Sequence, residues 1–521
     1  MEARCRLDAA QVARELGSRI KIRYMDMKSP PLEQPKARYW VIGILIISIL
    51  LRGILIFKGG QYYFSDEQRY QTSQAMIELL LQGKPPEAGL QLFSTPEHLG
   101  YKVIGMIPAL LERIVGPSLV LPAIFFSLFS VLNLYVIFLL SKRVGASPQD
   151  ALFALTFAAL SQSLFYYSRH FMPYDIAMTF GLLALYAGVV DKPGISTSVA
   201  CGALSFLCFI TYNGYWTLGV LAIVIHLFYE IRMVRDILQR GILIGLGFSL
   251  PALAVLVCSA RFGVNFVEEY SRFAGTITQG SYEEGWILPF MYFWHTEHFL
   301  FIILVLLALY ALLTGKSRPV VALWGGCILF LYLCLVVPSV FLHSFVVYGR
   351  LVRQIMPFLS LLAASGFGIL SKELPLTGPK IAQTALLMIF VQSVWSFSNT
   401  FRVAYPRDFV REVQAQYPDF TFSPKRFLFG APEICEDNGY AMQNAKYFLA
   451  VPETALTVPG QTLLVAPHPV NFLPYQYEGY TPEQRQAFRN AQLRMVFYEL
   501  DPVLAERKDL HKIGILSCQT K

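Results

Sequence analysis

The chain has 521 residues, of which 55% are apolar and 14% aromatic but only 15% charged, and its formal net charge is +8. The apolar residues fall in blocks of about 17–25, the length that spans ~30 Å of hydrocarbon, which excludes a soluble globular enzyme. The basic residues are spread over several loops without a recognition motif, which argues against a nucleic-acid partner.

In lipid every backbone polar group must pair internally, and these runs lack the alternation of barrel strands, so they are helices. The expected fold class is an all-α polytopic membrane protein of about eleven transmembrane helices. A cytoplasmic basic arm, 1–38, comes first, with no short signal peptide ahead of the first span, so the N-terminus is expected to be retained. Spans are expected near 39–57, 118–140, 149–167, 173–190, 196–213, 216–230, 241–259, 298–314, 319–341, 354–371 and 380–397. The arm and alternate short loops (Lys142/Arg143, Lys192, Arg232/Arg235/Arg240, Lys316/Arg318, Lys372/Lys380) are basic, which marks them as cytoplasmic. An odd number of spans then puts the C-terminus outside. Arg52, inside the first span, is expected to snorkel to the outer interface.

The first long outer segment, 58–117, contains YYFSDEQRY, an amphipathic stretch (QTSQAMIELLLQG) and the run GYKVIGMIPALLERIVG. A crossing in that last run would put Lys142/Arg143 outside, so it is read as a helix lying at the interface. The second outer segment, 260–297, carries Glu268, Glu269, Arg272, Glu283, Glu284, His295 and Glu297 and leaves through the aromatic WILPFMYFWHTEHF. Residues 398–521 are richer in Pro, Tyr and charge and read as a small extracytoplasmic C-terminal α/β region. Cys435 and Cys518 both fall there, where a disulfide is chemically accessible; most other cysteines lie in spans as small buried hydrophobes.

The ionisable residues near the membrane collect at the outer ends of helices: Asp66, Glu67 and Arg69; Glu97 and His98; Asp175; His295 and His298; Arg350 and Arg353. A transporter keeps such groups near the midplane, whereas an enzyme working on a lipid headgroup needs them at the interface. Arginines grip phosphate in a fork and a carboxylate takes a proton from an attacking hydroxyl, so the set suits sugar transfer from a phospholipid carrier. Glu97, His295 and His298 could also hold a divalent metal ion, since carboxylate and imidazole suit Zn or Mn.

Four stretches carry a resemblance. DEQRY, HLGYKVIGMIPALLERIVG, SRHFMPYDIAMTFGLLALY and YGRLVRQIMPFLSLLAASG occur in the order of the signature segments of GT-C glycosyltransferases. The likeness is to the bacterial branch of protein O-mannosyltransferases and lipid A aminoarabinose transferases, and it covers roughly 39–397. One departure is Pro96 to Leu99, where the family often has Lys-Pro-Pro or His-Pro-Pro before Gly-Tyr. The resemblance implies a transmembrane catalytic core, 39–397, that moves a sugar with inversion from a polyprenyl-phosphate donor to a lipid, glycan or protein hydroxyl. It implies catalytic roles for Asp66, Glu67 and Asp175, and substrate binding by Arg69, Tyr70, His98, Arg350 and Arg353. The expected location is a bacterial inner membrane with the site facing outward. The competing reading is a transporter or flippase of lipid-linked sugar or polysaccharide.

The topology is testable directly. After mild reduction, an impermeant maleimide should label Cys435 or Cys518 in intact cells, and labelling only after permeabilisation would reverse the orientation.

Overall fold

The structure, a computed structural model, describes residues 35–57, 69–116, 118, 120–190, 193–231, 233–277, 286–314, 318–342, 349–373 and 378–402, and four short strands between 421 and 519. The chain enters through α1 (Pro35–Phe57), whose proline at the first helical position costs no hydrogen bond. Three shorter helices follow: α2 (Tyr70–Leu81), α3 (Pro85–Phe93) and α4 (Leu99–Val115). Helix α4 is the run with charges at Glu112 and Arg113, and it does not reach spanning length and hydropathy. It packs on α2 instead, where Ser73 donates to the Lys102 carbonyl and Arg113 pairs with Glu78 at 3.0 Å.

The bundle continues with α5 (Val120–Arg143), α6 (Pro148–Leu160) and α7 (Gln162–Phe165), the last prolonged by a 3₁₀ turn over Tyr166–Arg169. Next come α8 (Pro173–Gly188), α9 (Ile195–Thr211), a 3₁₀ turn at Asn213–Tyr215, α10 (Trp216–Phe228) and α11 (Val234–Arg261). After α12 (Phe266–Ile277) and α13 (Leu288–Glu297) the chain forms α14 (Phe299–Thr314) and α15 (Arg318–Val336), which ends in a π turn over Val337–Phe341. The last three are α16 (Gly349–Val352), α17 (Met356–Glu373) and α18 (Gly378–Arg402), with a 3₁₀ turn at Arg353–Ile355 between the first two.

Among the described residues five helical stretches are long and apolar enough to cross a membrane: 38–57, 120–143, 234–261, 319–341 and 349–373. The pair 148–169 qualifies only with a 69° bend and the pair 288–314 only with a 120° bend; 195–211, 213–228 and 386–397 are shorter apolar helices. The chain is therefore a multi-pass membrane protein. In the 349–373 stretch 83% of the apolar window is buried, against 11% in 234–261, so α17 is central and α11 peripheral. The core gathers on α5, α6, α8, α14 and α17, through side chains such as Leu155, Phe157, Leu182, Leu304 and Phe358.

Lipid tails are as apolar as leucine, so helix association in a bilayer leans on close packing over small residues. Helices α9 and α11 show this. A Cβ on Gly202 would stand 2.1 Å from the Ile244 carbonyl oxygen, and one on Gly247 2.1 Å from that of Val199. The cysteines of the spans act as small packing groups: Cys208 points its thiol at the Tyr215 carbonyl and Cys201 at that of Ala222.

Two expectations change. The helix expected to run unbroken through 149–167 stops at Leu160, because the Ser161–Gln162–Ser163 triplet interrupts the apolar run with residues that bond to local backbone. Beyond 402 the described residues are strands: β1 (Thr421–Ser423), β2 (Phe448–Ala450), β3 (Gln461–Pro467) and β4 (Ile513–Gln519), antiparallel in that order. The helical part of the expected α/β region and the Cys435–Cys518 pairing lie outside the described residues.

Gly247→Ala should force α9 and α11 apart, at a cost of about 1–3 kcal/mol for overpacking, read as a lower melting temperature in detergent. Gly245→Ala, two residues away and facing open space, should leave it unchanged or slightly raised.

Candidate functional site

The site is built at the end of the bundle where α1 finishes and α8 begins, around the break after α6. Ser161 caps both helices from an extended conformation. A break inside an apolar bundle strands backbone N–H and C=O groups away from water, and each unpaired group is costly. Glu297, the last residue of α13 and only 1% exposed, answers on the N–H side. Its Oε1 accepts from Ser161 Oγ and the Ser163 N–H, both at 2.7 Å, and its Oε2 accepts from the Gln162 N–H at 2.8 Å. A carboxylate on helix N–H groups is a strong, charge-assisted cap.

On the carbonyl side Leu164 is met by Ser130 Oγ at 3.1 Å and by Arg52 Nη2 at 3.4 Å. Arg52 also donates from Nε to Ser130 Oγ and from Nη1 to the Ser48 carbonyl, and its guanidinium lies 5.3 Å from the centre of the Phe165 ring. The expectation that it snorkels is therefore corrected: Arg52 is 1% exposed, because α5 and the α6–α7 break supply acceptors inside the bundle that the interface would otherwise provide.

The break turns Tyr167 toward a buried ion pair. Pro173 sets the start of α8 and places Asp175 in its first turn, where a carboxylate suits the helix N-terminus. Asp175 Oδ1 accepts from Arg353 Nη2 at 2.6 Å, with the arginine side chain fully buried and the aspartate 8% exposed. The Arg353 guanidinium lies 5.0 Å from the centre of the Tyr167 ring, a cation–π contact. Its Nε and Nη1 have no hydrogen-bond partner among the described residues.

One helical turn earlier, Arg350 donates from Nη1 to Tyr174 Oη at 3.0 Å. The segment that carries both arginines is pinned to the turn after α9 and the start of α10: Tyr215 donates to the Arg350 carbonyl, Thr217 to Gln354 Oε1, and Gln354 Nε2 to the Gly214 carbonyl. Tyr167, Tyr174, Tyr212 and Tyr215 form a continuous aromatic wall, with ring centres 5.2, 4.7 and 5.2 Å apart. His98 extends it, its ring 4.9 Å from that of Tyr212. It takes this place by adopting a left-handed backbone (φ 54°, ψ 38°) at the start of α4, a conformation that costs a non-glycine residue about 1–2 kcal/mol.

The remaining expected residues divide. Arg69 and Glu97 face each other at 4.0 Å, each about a quarter exposed, a loose pair of small energetic worth. Tyr70 is fully buried, its hydroxyl donating to Glu112 Oε2 at 3.0 Å and its ring packed on Phe126 and Phe171; the structure places it as a peg that holds α2 to the bundle. Lys102, on α4, gives its ammonium to the Thr95 carbonyl and hydroxyl. Burial pushes it down from 10.5 to about 8, with Glu97 opposing and Arg69 adding to the fall. Asp66 and Glu67 lie outside the described residues, as does the His295 side chain.

No three His, Cys, Asp or Glu side chains converge as metal ligands among the described residues. Of the expected metal ligands, Glu97 faces Arg69, and the neighbouring Glu297 spends its oxygens on the break. The expected ligand set also turns on His295, whose side chain lies outside the described residues.

Chemically, the described part of the site is a cluster that can receive an anion. Arg353 is aimed by Asp175 and Tyr167, holds two further N–H groups, and stands beside Arg350 against a tyrosine wall. That is the equipment for a phosphate with an attached ring. The sequence singled out Asp175, Arg350 and Arg353, and the structure brings these three together. The structural tasks of Arg52 and Glu297 escaped it; the local signal was the polar triplet Ser161–Ser163, which needed an answering charge from elsewhere.

Removing one partner of a buried ion pair leaves the other charge uncompensated, so Asp175→Asn and Arg353→Met should each lower stability by about 3–5 kcal/mol. The apolar double variant Asp175→Leu/Arg353→Met should recover most of that while losing the binding of a polyprenyl phosphate. Thermal melts with lipid binding on the same samples check this, and losses that simply add would show that the two do not act as a pair.

No protein-family model and no curated protein sequence matches the chain. Among solved structures it is similar to ArnT from Cupriavidus metallidurans in the apo state, with 14% identity, 64% of this chain and 60% of that one covered, and a TM-score of 0.45. It is also similar to the same protein bound to undecaprenyl phosphate, with 16% identity, 63% and 60% covered, and a TM-score of 0.45. A third is the archaeal oligosaccharyltransferase AglB from Archaeoglobus fulgidus, in complex with an inhibitory peptide and a dolichol-phosphate, with 11% identity, 81% and 61% covered, and a TM-score of 0.43. The chain spans about three fifths of the length of each.

Proposed function

We propose that the chain is an integral-membrane inverting glycosyltransferase that moves a sugar from a polyprenyl-phosphate donor to a hydroxyl of a lipid, glycan or protein on the outer side of the membrane. The observation that carries this is Arg353: a fully buried guanidinium, held on one edge by Asp175, with Nε and Nη1 left for a ligand and Arg350 three residues away. Desolvation makes such a cation expensive unless an anion completes it, and phosphate accepts in the geometry that guanidinium offers.

In the reaction the acceptor oxygen attacks the anomeric carbon from the face opposite the phosphate. Its proton passes to a carboxylate, Asp66 in this reading, as the new carbon–oxygen bond forms. The bond between the anomeric carbon and the phosphate oxygen breaks with its electron pair, and the polyprenyl phosphate leaves as an anion stabilised by Arg350 and Arg353. Asp175 serves by orienting Arg353, and the tyrosine wall lines the path of the sugar. Tyr70 supports the placing of Asp66. It packs on Phe171, four residues before Asp175, so Asp66 lies only four residues along the chain from a point fixed in this neighbourhood.

The purified protein in liposomes, given a radiolabelled polyprenyl-phosphate sugar and extracted acceptors, should consume donor and release polyprenyl phosphate. Asp66→Asn keeps size and removes basicity, and turnover at saturating donor should fall by ~10²–10⁴-fold. Near-normal turnover in a monodisperse Asn variant would remove Asp66 from the chemistry, and absence of donor consumption by the unaltered protein across donor sugars would overturn the transfer reading.

A further inference from the structure

A second feature stands apart from the polar site. Between α1, α6 and α18 lies a cavity of about 830 Å³. Its walls are apolar apart from Ser48, Thr156 and Ser393, and Thr156 already spends its hydroxyl on the Leu152 carbonyl. A cavity of this kind does not hold water, and hydrocarbon is the occupant that its chemistry accepts.

Its ends differ. The three helices run in parallel, since the late residues Leu55 of α1 and Phe397 of α18 meet Phe165, just past α6, in one cluster. There the rings of Phe165 and Phe397 stack at 4.2 Å with Arg52 lying over Phe165, which walls the cavity off from Asp175 and Arg353. From that wall it follows α1 back from Leu51 to Trp40, about 16 Å at ~1.5 Å per residue, or half of a ~30 Å hydrocarbon core. On α1 the opposite end reaches the helix start, where Lys36 and the exposed Arg38 fall in the first turn just before Trp40; on α18 the lining begins at Leu386, past a first turn whose sequence carries Lys380. Trp40, 66% exposed, sits at that mouth as interfacial tryptophans do.

We propose that this cavity binds one acyl chain of an anionic glycerophospholipid from the leaflet around the first turns of α1 and α18, its phosphate beside the exposed Arg38 at the start of α1. The length fits a chain that ends at the bilayer midplane, and the charges at the mouth fit an anionic headgroup. A polyprenyl carrier bound at Arg353 has its phosphate beyond the Phe165–Phe397 wall, and its chain is longer than the cavity. The site is therefore separate from the proposed donor site and does not rest on the transfer reading.

Native mass spectrometry of the full chain from mixed nanodiscs tests it, with phosphatidylglycerol and phosphatidylcholine of identical acyl chains as probes. The unaltered protein should retain one phosphatidylglycerol with at least a tenfold preference. Ala159→Phe, which fills the cavity from α6, should cut that retention tenfold or more. The triple variant Lys36→Gln/Arg38→Gln/Lys380→Gln, which leaves the bundle interior untouched, should retain both lipids equally. Undiminished retention in a monodisperse Ala159→Phe protein would overturn the cavity as the site. Equal retention of both lipids by the unaltered protein would overturn the headgroup assignment, and displacement of phosphatidylglycerol by an equimolar polyprenyl phosphate would hand the cavity to the carrier. Should Ala159→Phe fail to fold, the triple variant and the competition still decide.

Discussion

A helix broken inside an apolar bundle must find new partners for the backbone groups that the break releases, and the polar end of this protein depends on how that is done. Glu297 takes the N–H groups of Gln162 and Ser163, while Ser130 and Arg52 take the carbonyl of Leu164. Three distant segments are thereby fixed to one point. The 69° turn that results swings Phe165 beneath Arg52 and Tyr167 beneath Arg353. Without that turn, Tyr167 would continue along the axis of α6 and Arg353 would lose the ring on which it lies.

The second determinant is electrostatic. A guanidinium taken out of water repays its desolvation only when its hydrogen-bonding edges are filled. Arg52 fills its own with hydroxyl and carbonyl oxygens, so it is a structural cation. Arg353 fills one edge with Asp175, and its remaining donors are what make it suited to an anionic ligand. Two arginines at the same end of one bundle thus have opposite roles, and the difference lies in their acceptors rather than in their residue type or burial.

The Phe165–Phe397 stack stands between two environments, a charged cluster on one side and an apolar cavity on the other. Because α1, α6 and α18 run in parallel, the basic starts of α1 and α18 lie at the opposite end from the finishes of all three. Helices α1 and α18 therefore carry basic residues at one end, while the other end of the same bundle holds the buried Asp175–Arg353 pair. Hydrocarbon in the cavity would bear on Phe397, and through it on Phe165 and the turn that carries Tyr167.

The sequence by itself determined what depends on composition along a single helix. Apolar runs of membrane-spanning length mark most of the bundle, Pro173 fixes the start of α8, and the charges at Glu112 and Arg113 keep α4 short of a spanning helix. It also singled out Asp175, Arg350 and Arg353, because charged residues at the ends of apolar runs stand out against their neighbours. Tertiary structure decided which charges meet. Asp175 and Arg353 are 178 residues apart and Glu297 is 134 from Ser163, so neither pairing leaves a local pattern. Arg52 reads as an interfacial arginine on its own helix and becomes a buried one only when α5 brings Ser130 against it. The parting of Tyr70 from the Asp175–Arg353 cluster has the same cause: a tyrosine in a signature shows its hydroxyl in the sequence, but only packing shows that it is bonded to Glu112.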